Sequence, residues 1–198
     1  MTAGAGTEGN ARLDQIGGWP AVLGALFRRE DLSEAVAEAA LDAILSGEAS
    51  PAQIAAFAAG LRTKGETVEE MVGLVRAMRS RSERVDAAGE LVDTCGTGGD
   101  RSSTVNVSTL AALVVAAAGV PVCKHGNRAQ SSMAGSADVL EALGVAIDLG
   151  PRGVARCVEE AGIGFCYAPR YHPALRHAGP EPHPAVLAEQ GPFGAKRS

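Results

Sequence analysis

At 198 residues and 46% hydrophobic content the chain can bury a core, and its 18 Lys plus Arg against 23 Asp plus Glu leave a formal net charge of -5, which gives no support to a nonspecific polyanion-binding surface. Aromatic residues make up only 4%, with a single Trp, which argues against a base-stacking platform. The longest apolar run, Leu110 to Cys123, is broken by Gly119 and Pro121 and is too short to span a bilayer, so neither nucleic acid nor membrane is an expected partner.

The first residues lack the basic start and apolar stretch of a signal peptide, so residues 1–14 read as a mobile tail of a cytoplasmic chain. Helices then follow in close order. Trp19, Val22, Leu23, Leu26 and Phe27 share one helical face. Asp31 with Glu34 three residues on marks a second start, and Val36, Ala39, Ala40, Ala43 and Ile44 point inward until Gly47. Ser50, Pro51 and Gln53 spell an N-cap, a first-turn proline and a capping box ahead of Ile54, Phe57, Ala58 and Leu61, with Gly65 as the stop. Thr67 and Glu70 form another box, with Val68, Met71, Val75 and Met78 as the stripe behind it.

The charged stretch from Arg79 to Asp86 has no buried stripe and reads as a connector. Beyond it the period changes. ELVDTC reads as a strand, STLAALVVAAAG as a buried helix, VPVCKH as a strand, and GSADVLEALG as a helix. GPRGVARCVEEAG follows as a helix with Pro151 in its first turn, and IGFCYA as a strand. Strands alternating with helices predict a parallel sheet covered on both faces. From Gly179 onward, four prolines and no sustained period predict irregular chain. Cys95, Cys123, Cys157 and Cys166 form no CxxC pair and have no nearby ligand set, so they read as reduced structural thiols.

The stretch DTCGTGGDRSSTVNVST, Asp93 to Thr109, carries the first chemical signal. A strand that runs through glycines into a helix presents unpaired N–H groups and the positive end of the helix dipole, which together attract an anion. Gly96, Gly98 and Gly99 let backbone approach phosphate oxygens where a Cβ would collide. The P-loop pattern is absent, and a dinucleotide GxGxxG starting at Gly96 fails at Arg101. Asn106, Ser108 and Thr109 suit phosphate donation or a magnesium shell, while the plainer reading makes Ser108 and Thr109 helix caps. A second polar cluster, KHGNRAQSS, ends the next strand. Lys124 and Arg128 can meet phosphate charge, Gly126 allows a bend, and Asn127 can both donate and accept. Loops at adjacent strand ends of an open parallel sheet converge on one crevice.

In combination, GTGGD at Gly96 to Asp100, NVST at Asn106 to Thr109, KHGNR at Lys124 to Arg128 and GSADVLEALG at Gly135 to Gly144 resemble the signatures of the anthranilate phosphoribosyltransferase family of tryptophan biosynthesis. The helical segment from Ser46 to Met78 is similar to that family's N-terminal segment, which carries its dimer contact, so the resemblance implies a homodimer. It covers about Trp19 to Ala178. The implied fold class is α/β: an all-helical domain over 15–85, then an incomplete parallel α/β phosphoribosyltransferase domain over 86–178 and a tail over 179–198 that departs from the family.

The implied reaction moves the phosphoribosyl group of phosphoribosyl pyrophosphate to the amine of anthranilate, with Mg2+. Gly96, Gly99, Asp100, Thr104, Asn106, Val107, Ser108 and Thr109 are implied to hold the donor, with Ser108 also reaching magnesium. Lys124, His125, Gly126, Asn127, Arg128, Ser131 and Ser132, with Ser136, are implied to close over the ribose phosphate and pyrophosphate, and Gly96 and Asn127 to touch anthranilate. The amine itself attacks, so no protein nucleophile is expected and His125 is as well read as structural.

The family's chain continues into the rest of the sheet and an acidic Asp-Glu pair for magnesium, which this sequence lacks, and by spacing the family's anthranilate-contacting arginine falls at Pro182. A shortened chain is therefore expected, with an exposed strand edge and uncovered apolar helix faces. Two further readings stand beside the transferase. One is a noncatalytic remnant that binds a phosphorylated ligand or dimerises. The other is a nucleoside phosphorylase of the same plan, against which the KHGNR text speaks.

Overall fold

The computed structural model describes residues 12–94, 106–129 and 135–178, which fall into two compact units. One takes in residues 12–82 and 172–178, the other the described residues between 83 and 171.

The first unit is helical. It comprises α1 (Gly18–Phe27), α2 (Glu34–Leu45), α3 (Pro51–Lys64), α4 (Val68–Ser80) and a 3-10 turn over Pro173–His177. Both predicted capping boxes are formed: the Ser50 hydroxyl accepts from Gln53 N and the Gln53 side chain accepts from Ser50 N, and Thr67 and Glu70 repeat the exchange. The α2 cap is Ser33, two residues later than predicted, and Asp31 instead pairs with Lys64. Gly47 and Gly65, predicted as stops, adopt positive φ. Trp19, Val22, Leu26, Ala40, Ile44, Phe57 and Leu61 make the core, with Trp19 edge-on to Phe57 at a centroid distance of 5.9 Å.

Three expectations need correction here. Leu13 is completely buried in this core and residues 12–15 are helical, so the tail does not extend to residue 14. Phe27 lies 68% exposed, because α1 ends there and turns its last residue outward. The buried face of α4 is Glu70, Gly73 and Ala77, while the predicted stripe members Val68 and Val75 face solvent. The reason is the close packing of α4 on α2: a Cβ on Gly73 would sit on the Glu34 carbonyl oxygen and 3.0 Å from Glu38 N. We predict that Gly73→Ala costs about 2–3 kcal/mol, since the obstacle is helix backbone and cannot rotate away. A urea titration in which Gly73→Ala keeps the parent midpoint would contradict this packing.

The second unit contains α5 (Val107–Ala117), β1 (Val122–Gly126), α6 (Ser136–Ala142), α7 (Pro151–Ala161), β2 (Ile163–Tyr167) and the short α8 (Ala168–Tyr171). β1 and β2 pair in parallel, Val122 opposite Ile163 and Gly126 opposite Tyr167. The predicted first strand, ELVDTC, is reduced among the described residues to a parallel bridge from Val92 to Val122, with Val92 N bonded to Pro121 O and Cys123 N to Val92 O. Ala137, Leu140, Ile147 and Phe165 pack one cluster, and Val154, Cys166 and Tyr171 another. Helix α5 was expected to be buried, yet Val107, Leu110 and Val114 are exposed and only Thr109 and Ala112 are fully covered. Among the described residues α5 has sheet on one side only, so its other face is open. No helix among the described residues is long and apolar enough to cross a membrane.

Candidate anion-binding site

The polar residues singled out in the sequence gather where the Val92 bridge and β1 end and where α5 and α6 begin. Asn106 caps α5. Its Oδ1 accepts from Thr109 N at 3.1 Å, from Ser108 Oγ at 3.1 Å and from Thr109 Oγ1 at 2.8 Å. Asn106 is therefore the hub, with Ser108 and Thr109 as its donors rather than caps themselves. Thr109 Oγ1 also lies 3.0 Å from Ser136 Oγ, which ties the first turn of α5 to the first turn of α6 inside the unit. Thr94 Oγ1 donates to Ser108 O at 2.8 Å, so the strand entering the glycine segment is anchored to the helix leaving it.

Lys124 occupies the middle of β1 and is only 2% exposed. Its ammonium donates to Thr94 O at 2.9 Å, beneath the point where the glycine segment begins. A buried cation needs polar partners, and one held on the last described residue before the glycine segment adds positive potential at that end of β1. Next to it, His125 N donates to Asp93 Oδ1 at 3.3 Å. Desolvation, joined by the Lys124 charge, holds the His125 imidazole below its ordinary value against the pull of Asp93, which favours a neutral ring at pH 7.

Asn127 and Arg128 take roles that their types alone did not specify. Asn127 Oδ1 accepts from Arg128 N at 2.8 Å, and Asn127 O accepts from Ala137 N at 3.2 Å. The Arg128 guanidinium bonds Asp138 and, in bidentate fashion, Glu141, and lies 5.9 Å from the centre of the Tyr167 ring. The phosphate-meeting group predicted at Arg128 is thus already neutralised on α6. Sequence reasoning missed Asp138, whose Oδ2 accepts from both Ala129 N and Gly135 N at 2.8 Å and so clasps these two amides together at the start of α6. Those two amides, ahead of Arg128, hold its carboxyl below the ordinary aspartate value despite some desolvation. Gly135 is required by the same clasp, since a Cβ there would strike the backbone of Asn127 to Ala129. Gly126 is packed as tightly, its missing Cβ 2.8 Å from the Phe165 ring and 3.0 Å from Ser136.

We expect Asp138→Ala to free both of these amides. The check is hydrogen exchange at the Ala129 and Gly135 amides, which should quicken by about tenfold or more as their common acceptor is lost; unchanged protection would rule the clasp out.

The positions predicted at Gly96, Gly99, Asp100, Thr104, Ser131 and Ser132 lie outside the described residues. Val107 is an exposed first-turn residue of α5. Among the described residues no group of three or more His, Cys, Asp or Glu comes together to hold a metal ion. Magnesium that rides on substrate phosphates needs few protein oxygens, and Ser108 Oγ, which gives its proton to Asn106, keeps lone pairs for such a cation.

Comparison with known proteins divides the chain at nearly the same point after residue 82, but assigns residues 172–178 to the second domain. Residues 20–82 match the helical bundle domain of a glycosyl transferase family and residues 88–183 match its a/b domain. An anthranilate phosphoribosyltransferase of Saccharopolyspora erythraea is 59% identical over 162 residues, covering 82% of this chain and 46% of that protein. One from Rhodococcus opacus is 60% identical over 161 residues, covering 81% of this chain and 44% of that protein. Among solved structures, the anthranilate phosphoribosyltransferase of Thermus thermophilus superposes with a TM-score of 0.73 at 41% identity, over 88% of this chain and 51% of that one. The Saccharomyces cerevisiae enzyme, in complex with PRPP and Mg, gives 0.72 at 27% identity over 80% of this chain and 48% of that one. The chain spans about half the length of the curated relatives it matches. With both domains of the glycosyl transferase family matched in order and identities near 60%, the chain belongs to the anthranilate phosphoribosyltransferase family.

Proposed function

We propose that this protein binds phosphoribosyl pyrophosphate with Mg2+ and transfers its phosphoribosyl group to the amine of anthranilate, releasing pyrophosphate, as a cytoplasmic enzyme of tryptophan biosynthesis. The observation that carries this reading is the buried Lys124 ammonium beneath the entrance to the glycine segment, with the Asn106, Ser108, Thr109 and Ser136 network fixing two helix starts beside it. The yeast relative in complex with PRPP and Mg supports the donor and the ion, and a yeast variant in complex with 4-fluoroanthranilate supports the acceptor.

In the reaction the C1–O bond to pyrophosphate breaks as the C1–N bond forms, so negative charge grows on the departing oxygens while the ribose becomes oxocarbenium-like. Fixed backbone N–H groups and Lys124 answer that charge without reorganising. Gly96, Gly99, Asp100 and Thr104 are proposed to contribute from the glycine segment, and Ser131 and Ser132 from the stretch between Asn127 and Ser136 in the sequence. Ser108, with the phosphate oxygens of the donor, would hold magnesium, which when bound would supply electrostatic neutralisation of the leaving group. Gly96 and Asn127 are proposed to orient anthranilate. No side-chain nucleophile is invoked, because the work is alignment and charge stabilisation.

The test is a fluorescence assay of anthranilate consumption with the full chain, Mg2+ and phosphoribosyl pyrophosphate, coupled to pyrophosphate detection. Turnover that requires both substrates and the ion supports the transferase. Calorimetric binding of the donor without turnover leaves the phosphate-ligand binder instead, and neither binding nor turnover overturns both readings. The helical unit is proposed to form a homodimer through the exposed Val68, Val72 and Val75 stripe of α4, and light scattering should show the mass of two chains in the parent and of one in Val72→Glu with Val75→Glu.

A further inference from the structure

Four cysteines were read in the sequence as separate, inert thiols. Two of them meet. Cys123 on β1 and Cys166 on β2 point to the same face of the parallel pair, and their Sγ atoms lie 3.5 Å apart. The register explains why the sequence hid this: Cys123 stands opposite Gly164 and Cys166 opposite His125, so the thiols are diagonal neighbours separated by 43 positions. Cys166 is 8% exposed and packs with Val154 and Tyr171, whereas Cys123 is only half-buried and packs at the margin of that cluster.

We propose that Cys123 and Cys166 form a reactive dithiol, a modification site at which a hydroperoxide converts two thiols into one intramolecular disulfide. Cys123 is the attacking sulfur and Cys166 the resolving one. The asymmetry starts from access, since Cys123 is the more exposed of the two, and the sulfur–sulfur contact works the same way: it lowers the Cys123 thiol from its ordinary value, against desolvation and the nearby Asp93, while contact and burial push Cys166 up. Thiolate character and access select the sulfur that oxidises first.

The electrons balance in two steps. The Cys123 thiol gives up its proton, the thiolate attacks one peroxide oxygen, the O–O bond breaks, and the leaving hydroxide or alkoxide takes up that proton, so the products are a Cys123 sulfenic acid and water or an alcohol. Cys166 then attacks that sulfur, the S–S bond forms, the S–O bond breaks, and the hydroxyl leaves as water with the Cys166 proton. One hydroperoxide is reduced and two thiols are oxidised. A diagonal pair on adjacent parallel strands is offset by two residues, about 6.6 Å along the strand, across a spacing of about 4.8 Å, so its Cα atoms stand roughly 8 Å apart, beyond the roughly 4.4–6.8 Å usual for a disulfide. The bridge should therefore pull β1 toward β2, stay easily reducible by dithiols, and bear on Lys124, the next residue along.

The test needs no variant. The native full chain is treated with one equivalent of hydrogen peroxide, remaining thiols are blocked with N-ethylmaleimide, and the chain is digested with trypsin and a glutamate-specific protease, which separates Cys157 from Cys166 at Glu159 and Glu160. The expected result is loss of alkylation at Cys123 and Cys166 together, a cross-linked pair joining the peptide that ends at Lys124 to the one bearing Cys166, and full recovery of both thiols with dithiothreitol. Cys123 found as sulfinic or sulfonic acid with Cys166 still alkylated overturns the proposal. So do a cross-link to Cys95 or Cys157 in comparable yield and a native chain no more readily bridged than the same chain in urea.

Discussion

Glu70→Ala should destabilise the helical unit by about 3–5 kcal/mol, the cost of leaving one partner of a buried ion pair behind. The carboxylate of Glu70 is fully buried and holds three donors: Leu32 N at 2.8 Å, Thr67 N at 2.8 Å and Lys64 Nζ at 3.0 Å. It closes the capping box of α4 with one oxygen and pins the loop before α2 with the other. Alanine would orphan two amides and leave the Lys64 ammonium, its side chain 4% exposed, with Asp31 as its carboxylate partner. Urea unfolding followed by far-ultraviolet circular dichroism measures the effect, and a loss under about 1 kcal/mol, the level of an ordinary surface pair, would contradict this account.

The same pair sets a pH dependence. Burial works to raise the Glu70 carboxyl, but the two amides and Lys64 outweigh it and hold the group below the ordinary glutamate value. A depressed folded value means the stabilisation is complete above the unfolded value, about 4.3, and is lost as pH falls through the folded one. Lys64 moves oppositely: desolvation lowers it, yet Asp31 and Glu70 raise it further, so its contribution persists until strongly alkaline pH. The parent should therefore lose stability with acid more steeply than Glu70→Gln does, with the difference confined to the region below pH of about 4.

Much of this architecture was legible because local chemistry and tertiary packing agree. Ser50 with Gln53 and Thr67 with Glu70 announce helix starts in the text, and each forms as spelled. The phase of α4 was not legible, because its buried face is made of a glutamate, a glycine and an alanine. Apolar periodicity assigns Val68 and Val75 to the inside, whereas the α2 backbone admits only Gly73 at the crossing and the donors around Leu32 make room for a carboxylate. Asp31 illustrates the same limit: the sequence marks it as the helix start, yet it pairs with Lys64 and the cap of α2 is Ser33.

At the candidate site, residue types at strand ends singled out Lys124, Asn106 and Ser136, which hydrogen bonds through Thr94, Ser108 and Thr109 link to one another. What they could not convey is partnership. Arg128 reads as a phosphate ligand until Asp138 and Glu141 of α6 are seen to neutralise it, and Cys123 reads as inert until strand register brings Cys166 against it. Such pairings depend on which strands lie side by side, and that information is spread over tens of residues.

Lys124→Met should weaken binding of phosphoribosyl pyrophosphate by about 30- to 150-fold, the loss of roughly 2–3 kcal/mol expected when one charge-assisted contact to an anion disappears. Its stability should nevertheless stay within about 1 kcal/mol of the parent, because replacing a buried charge by an apolar side chain of similar length removes a desolvation penalty along with the attraction. The opposing signs make the variant diagnostic. If Lys124 served only to fasten β1 to Thr94 through its 2.9 Å bond, the substitution would lower the unfolding midpoint and leave affinity nearly untouched. If the ammonium is held beneath the glycine segment for an anion, calorimetry should show weaker binding in a chain that melts as before. Inorganic pyrophosphate as a second titrant locates the loss. A parallel drop for it assigns Lys124 to the departing group, and a drop for phosphoribosyl pyrophosphate alone moves the contact to the ribose phosphate.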